Sequence, residues 1–243
     1  MRQRGSHRAG TFSAIKAAGI RLIYEHGYEA MTLRMLARSV GLESGSLYYH
    51  IKDKQDFLFR LLKEIIEGNI AALDEKLAGL EDAESQMRAL ICFFVTNQWE
   101  KKEESYIINS EVRSLNEENY RVISALSSDF LERVKEIVRK GVEQRKFHVR
   151  NLTVAALAVG DILSGPARWY YPRELLALDE LIEIITELIF HLLGVPRTQA
   201  GAAGCAQAVA DVPSAQHVSR HGAEAQPRPA GPIGFPAHRT WAR

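Results

Sequence analysis

Two cysteines in 243 residues, Cys92 and Cys205, are too few for a disulfide framework, and no Cys/His spacing suits a structural zinc. His217 and His221 lie four apart but lack further ligands. The most apolar stretch, Leu152 to Leu163, is short and interrupted by Asp161, which argues against a membrane span. The basic opening MRQRGSHRAG has no apolar segment behind it, so it does not read as a secretory signal. A glycine-rich phosphate loop, a metal-binding His/Glu pair and a Ser-x-x-Lys are all missing. The expectation is a soluble cytoplasmic chain that is not an enzyme and needs neither cofactor nor metal.

Net charge is also nearly absent, at +1, but its distribution is uneven. Residues 1–60 hold ten Lys/Arg against five acids, a net of +5, whereas residues 61–195 hold sixteen against twenty-three, a net of −7. A basic head on an acidic body places phosphate neutralisation in the head. From Pro196 onward the chain turns rich in Pro, Ala, Gly and Gln, with six of its eight prolines, so 196–243 is expected to be a disordered tail. Residues 1–10 are expected to form a flexible basic arm.

Between these ends every segment has helical periodicity. From Thr11, Ile15, Ala18, Leu22 and Ile23 mark a first helix that Gly27 can end. Thr32 is placed to cap a short second helix with Leu33, Leu36, Ala37 and Val40 inward, and Gly41 suits the turn. In a third helix, capped by Glu43 or Ser44, Leu47 and Ile51 face inward and leave Ser44, Gly45, Ser46, Tyr48, Tyr49 and His50 on the surface. Small residues let such a backbone approach DNA closely, and neighbouring tyrosines can pack on thymine methyls or bond phosphates. Tyr48 wedged between helices, His50 as a helix-end cap and Lys52 as a solvated charge remain alternatives.

The stretch GLESGSLYYHIKDKQDFL, residues 41–58, resembles the signature of TetR/AcrR-type transcriptional regulators: a helix-turn-helix ending in Leu-Tyr-aromatic-His-apolar, then a lysine opening a long connecting helix. The resemblance covers roughly residues 11–60. It implies that Arg34 reaches a guanine edge and that Ser44, Gly45, Ser46 and Tyr49 occupy recognition positions. It further implies that Tyr48 and His50 contact the DNA backbone, that Thr32 offers it a hydroxyl, and that Lys54 clamps a phosphate.

The body should be an all-α bundle. A helix from Lys54 to Leu77 would end near Gly79, the next would end around Trp99 before the charged run Glu100–Glu104, and a shorter one would run from Tyr106 to about Leu115. A long helix begins after Asn116 and ends near Gly141, followed by two apolar helices, Leu152–Trp169 and Leu175–Leu193. This divides the chain into a DNA-binding domain over 11–56 and a ligand-binding and dimerisation domain over 57–195. The last two helices carry more apolar surface than one buried stripe needs, which points to a homodimer interface through Leu157, Asp161, Leu181, Ile185, Leu188 and Leu192. The aromatic residues Phe94, Trp99, Tyr106, Tyr120, Phe130 and Trp169 are candidates for an apolar cavity, each with a core role as the alternative. Glu111-Val-Arg113, Asn119-Tyr120, the GVEQRKF turn and Arg168-Trp169-Tyr170 resemble the ligand-binding domains of relatives that respond to fatty acyl-CoA or related CoA thioesters. The expected partners are therefore double-stranded DNA, a small apolar effector such as an acyl-CoA, and a second copy, with no membrane. A helical lipid or acyl-CoA carrier without specific DNA recognition and an effector-independent DNA-binding regulator are the alternatives.

Overall fold

The computed structural model describes residues 4–168 and 176–195, with side chains over 11–166 and 176–195. It is helical, with no strand among the described residues. The tail expected over 196–243, and Trp169, lie outside the described residues.

Helix α1 spans Arg4–His26, so the arm expected over residues 1–10 is corrected from Arg4 onward, where no proline stops the helix propagating back from Thr11. Gly27 ends α1 at φ +81° and bonds the Ile23 carbonyl at 2.8 Å. Helix α2 (Leu33–Ser39) is capped by Thr32, whose hydroxyl accepts from the Met35 amide at 3.2 Å. Gly41, at φ +66°, turns the chain into α3 (Ser44–Leu47). This helix is shorter than expected: residues 48–50 are turn, although the Ile51 amide still reaches the Leu47 carbonyl at 3.1 Å.

Helix α4 (Lys54–Leu77) starts on the Asp53 cap, and Gly79 follows its end at φ +78°. Helix α5 (Ala83–Glu100) is capped by Asp82. The break expected across the charged run Glu100–Glu104 is corrected to the single residue Lys101, because α6 (Lys102–Glu111) already begins inside it. Glu103 and Glu104 in its first turn sit at the positive end of the helix dipole, where acids are favoured. A 3-10 turn (Val112–Ser114) leads to α7 (Glu117–Glu143), capped by Asn116. Helices α8 (Leu152–Arg168) and α9 (Leu178–Leu192) complete the described chain.

Burial sorts these helices into two hydrophobic cores. The first joins Ile15, Ile23, Leu36 and Leu47 to Phe57, Leu58, Leu61 and Leu62 of α4, and it also takes in Ile107, Leu115 and Ile123 from the body segments. The second gathers Leu73, Met87, Leu90, Val95, Val134, Val138, Phe147, Val159, Ile182 and Ile189. The head is thus packed on the α6–α7 corner as well as on α4.

Two glycines in α1 and α4 differ in what surrounds them. A Cβ on buried Gly19 would run into the Phe57 ring, whereas one on exposed Gly68 meets nothing within 4 Å. Gly19→Ala is expected to lower stability by about 1–3 kcal/mol through overpacking. Gly68→Ala should raise it by about 0.5–1 kcal/mol, because a helix-interior glycine carries an entropic penalty. Denaturant unfolding of both variants measures the two opposite shifts.

Candidate nucleic-acid interface

The α3 turn is pinned from beneath and from its downstream side. Leu47 and Ile51 are buried in the head core, and this orients Ser44, Gly45, Tyr48 and Tyr49 outward. Tyr48 is 57% exposed and Tyr49 78% exposed, so burial is not what these rings serve. Thr32 and Arg34 lie exposed at the start of α2, while Ser46, His50 and Lys54 are half-buried. The Thr32 side chain is engaged in its cap, with one lone pair directed to the Met35 amide.

The joint between α3 and α4 is fixed by charged side chains bonding to backbone. The Arg60 guanidinium donates to the His50 carbonyl and lies 4.1 Å from the Phe12 ring centroid, tying the end of the turn to α1. Asp56 accepts from the Lys52 amide at 2.9 Å, and Asp53 accepts from the Asp56 amide at 2.8 Å. Lys54 donates to the Glu29 carbonyl at 2.9 Å and stands 4.3 Å over the Tyr28 ring. Its ammonium has three donors, so these contacts orient the group without consuming it.

Beneath Lys54, Tyr28 is only 3% exposed, and its hydroxyl accepts from Gln55 Nε2 at 3.1 Å. Burial, with Glu29 and Asp53 nearby, pushes the phenol up to about 12. Gln55 also donates to the Ser114 carbonyl at 2.6 Å and accepts from the Asn116 amide at 2.9 Å. Arg60, Gln55 and Tyr28 were not singled out by sequence. The available signal was polar residues among the buried positions in the first two turns of α4, which does not say where they point.

In the body, Phe94 and Phe130 meet at a tilt of 44° with 4.7 Å between centroids, Phe93 meets Phe94 edge-on at 5.5 Å, and Trp99 packs nearby on the same core. Tyr106 and Tyr120 pack instead against the head core, where Tyr106 meets Tyr24 edge-on at 5.3 Å. The six aromatic candidates are therefore not brought into one cavity: three share the body, two join the head, and Trp169 lies outside the described residues. A groove of about 360 Å³ opens elsewhere, lined by Leu77, Gln86, Asp129, Glu132, Arg133, Glu136 and Ile137. Arg133 there forms a two-pronged ion pair with Asp74 at 2.7 and 2.9 Å.

The expected dimer residues also divide. Leu181 and Ile185 are a correction: they are buried in the chain's own core, because α9 turns that face onto α5. Leu157, Asp161, Leu188 and Leu192 are exposed, and Val154 and Ile184 join them. Among the described residues no helix is long and apolar enough to cross a membrane.

Comparison with known proteins gives this arrangement its relatives. A family model described as bacterial regulatory proteins, tetR family, matches residues 15–61, and one described as the tetracyclin repressor-like C-terminal domain matches residues 80–193. The HTH-type transcriptional repressor KstR2 of Rhodococcus jostii is 24% identical over 197 residues, covering 79% of this chain and 95% of its own. A tetR-family regulatory protein from Rhodococcus RHA1 superposes with a TM-score of 0.71 at 22% identity, covering 76% of this chain and 98% of its own. The regulator FadR of Bacillus subtilis, solved in complex with stearoyl-CoA, superposes at 0.65 with 19% identity, covering 74% and 97%.

The buried Tyr28 hydroxyl gives an alkaline signature. A phenol at about 12 instead of 10.0 holds its proton more tightly in the folded chain. Its contribution to stability is therefore complete below pH 10 and lost as pH rises from 10 towards 12. Stability measured against pH should fall across that window more steeply in the wild type than in Tyr28→Phe. Parallel curves would show that another group governs the fall.

Proposed function

Because this chain belongs to the TetR family of bacterial transcriptional regulators, we propose that it is a homodimeric, ligand-responsive repressor of a palindromic operator. The observation that carries the reading is the exposed Tyr48–Tyr49 pair beside Ser44, Gly45 and Ser46, on a turn pinned by Leu47 and Ile51. Two adjacent tyrosines held out in solvent by a rigid support suit contact with a groove and its phosphates. In this reading Tyr49, Ser44, Gly45 and Ser46 face base edges. Arg34 reaches a guanine, and Thr32, Tyr48, His50 and Lys54 hold the backbone.

A second copy supplies the other half-site, and the outer faces of α8 and α9 are where it docks. Val154 and Leu157 on α8, with Ile184, Leu188 and Leu192 on α9, leave five large apolar side chains in water. The α9 residues recur every fourth position and so form one stripe along the helix. A two-fold axis through this face would bury both stripes, with Asp161 at the rim. Two recognition turns could then be set about one DNA turn apart, roughly 34–36 Å.

The effector we propose is an acyl-CoA or a related apolar thioester. Support comes from the stearoyl-CoA complex of the B. subtilis relative and from the half-buried Phe93, Phe94 and Phe130 cluster on α5 and α7, where an acyl chain would find aromatic faces. Binding there would favour a conformation of the body that holds the two heads off register, so effector and operator compete.

The DNA reading predicts that Tyr49→Ala loses about 1 kcal/mol per half-site. For the two-fold complex this is about 2 kcal/mol, or roughly thirty-fold in operator affinity. Gel-shift titration against a palindrome selected from random duplexes measures it, and unchanged affinity would remove Tyr49 from the interface. Leu188→Arg should convert the dimer to a monomer in light scattering and weaken operator binding far more than Tyr49→Ala. Stearoyl-CoA added to the complex is expected to release DNA; if it leaves the complex intact, the effector assignment falls and the DNA assignment stands.

A further inference from the structure

Gln55 is the first α4 residue after Lys54, and its amide uses three of its hydrogen-bonding positions on groups from two different parts of the fold. Its carbonyl oxygen accepts from the Asn116 amide at 2.9 Å, and its nitrogen donates to the Ser114 carbonyl at 2.6 Å and to the Tyr28 hydroxyl at 3.1 Å. Asn116 caps α7 and Ser114 ends the 3-10 turn after α6, so the first two bonds grip the corner where the body turns back. The third grips the head. Tyr28 lies under the Lys54 ammonium, and the preceding residue Asp53 caps α4 while Asp56 holds the Lys52 amide. A movement of the α6–α7 corner by about an ångström would stretch both of its bonds beyond hydrogen-bonding range. That movement would be felt first at Tyr28 and Lys54.

We propose that Gln55 is a positioning residue that couples the α6–α7 corner to the DNA-holding turn, so that occupancy of DNA and the order of the start of α7 depend on each other through its side-chain amide. This rests on the reading of the chain as a DNA-binding regulator. Gln55 itself is not among the groups that hold DNA. Its three partners are all this chain's own, and the Tyr28 phenol, raised to about 12 by burial, remains a neutral partner at ordinary pH. Coupling of this kind is reciprocal: whatever DNA does to the corner, a change at the corner does to DNA affinity by the same factor.

The test is amide hydrogen exchange over residues 117–123, at the start of α7, with and without saturating duplex carrying the selected palindrome. In the wild type, DNA should slow exchange there by at least about five-fold, the lower end of ordinary coupling between sites. Gln55→Met keeps the side-chain length and removes all three bonds, and it should show a change below about two-fold while still unfolding cooperatively and binding the duplex. Gln55→Glu is the second variant, in case the first does not fold. It keeps the acceptor for the Asn116 amide but sets a carboxylate against the Ser114 carbonyl, and it should lose the protection as well. Asn116→Ala separates coupling from mere fastening. It removes the cap on the Asn119 amide yet keeps the backbone N–H that Gln55 receives, so it should lower the melting temperature and retain the five-fold protection. Protection persisting in Gln55→Met, or absent from a wild type that binds DNA, would overturn the coupling. A folded Gln55→Met chain that no longer binds duplex would place Gln55 in the DNA-holding machinery and overturn the positioning role. A wild type without DNA affinity at low salt would overturn the regulator reading beneath it, a different and separately visible failure.

Discussion

Helices α4 and α7 each belong to both hydrophobic cores. Helix α4 buries Phe57, Leu58, Leu61 and Leu62 in the head and Leu73 in the body, with no flexible linker between them. Its 24 residues span about 36 Å as a single hydrogen-bonded rod. A close-packed core does not deform smoothly, so a displacement of α4 at the body end is carried to the head as a rigid rotation or shift. The head is also buttressed from the side, since Ile107, Leu115 and Ile123 enter its core from α6, the corner and α7. Head and body therefore share packing along two routes.

Helix α3 cannot position itself. A four-residue helix is far below the length at which helices persist alone, so α3 exists because Leu47 and Ile51 are buried under it. Its downstream edge is set by Arg60 on the His50 carbonyl and Asp56 on the Lys52 amide, both reaching back from α4. The exposed tyrosines thus inherit their orientation from α4. That dependence explains why the first turns of a connecting helix carry so many polar residues.

What was legible in the sequence was local. Gly27, Gly41 and Gly79 all take positive φ, and Thr32 and Asn116 cap the helices that follow them, because caps and turns depend on residues within three or four positions. The head could be read nearly whole for the same reason, with Leu47, Ile51 and the tyrosines falling where a short helix puts them. What could not be read depends on a partner helix. Helix α9 is apolar on two faces, so spacing alone did not separate buried Leu181 and Ile185 from exposed Leu188 and Leu192; only the position of α5 does that. Tyr106 and Phe94 are both aromatic residues on amphipathic helices, yet one belongs to the head core and the other to the body. Gln55 and Arg60 were invisible because their partners are mostly backbone groups, which leave no residue pattern: the Ser114 carbonyl is fifty-nine positions from Gln55 and the His50 carbonyl ten from Arg60.

The two ends of the body are fastened differently. At the end away from the head, Gln144 accepts from the Ala83 amide at 3.0 Å and donates to the Glu81 carbonyl at 2.9 Å. This is the same two-pronged grip on a helix start that Gln55 makes on Asn116 and Ser114. There it is reinforced: Lys146 pairs with Asp82 and holds that carboxyl down at about 2, and the His148 amide bonds the Leu193 carbonyl at 2.7 Å. Several independent bonds fix the α5, α7 and α9 ends together. At the head end α5 joins α6 through Lys101, and α6 joins α7 through residues 112–116, of which Val112–Ser114 form the 3-10 turn. Helix α6 lies between α8 and α1, so a shift of α8 has the fastened end behind it and α6 in front. The element in the path of that shift is α6, whose Ile107 is buried in the head core, and the corner that follows it is the one gripped by Gln55.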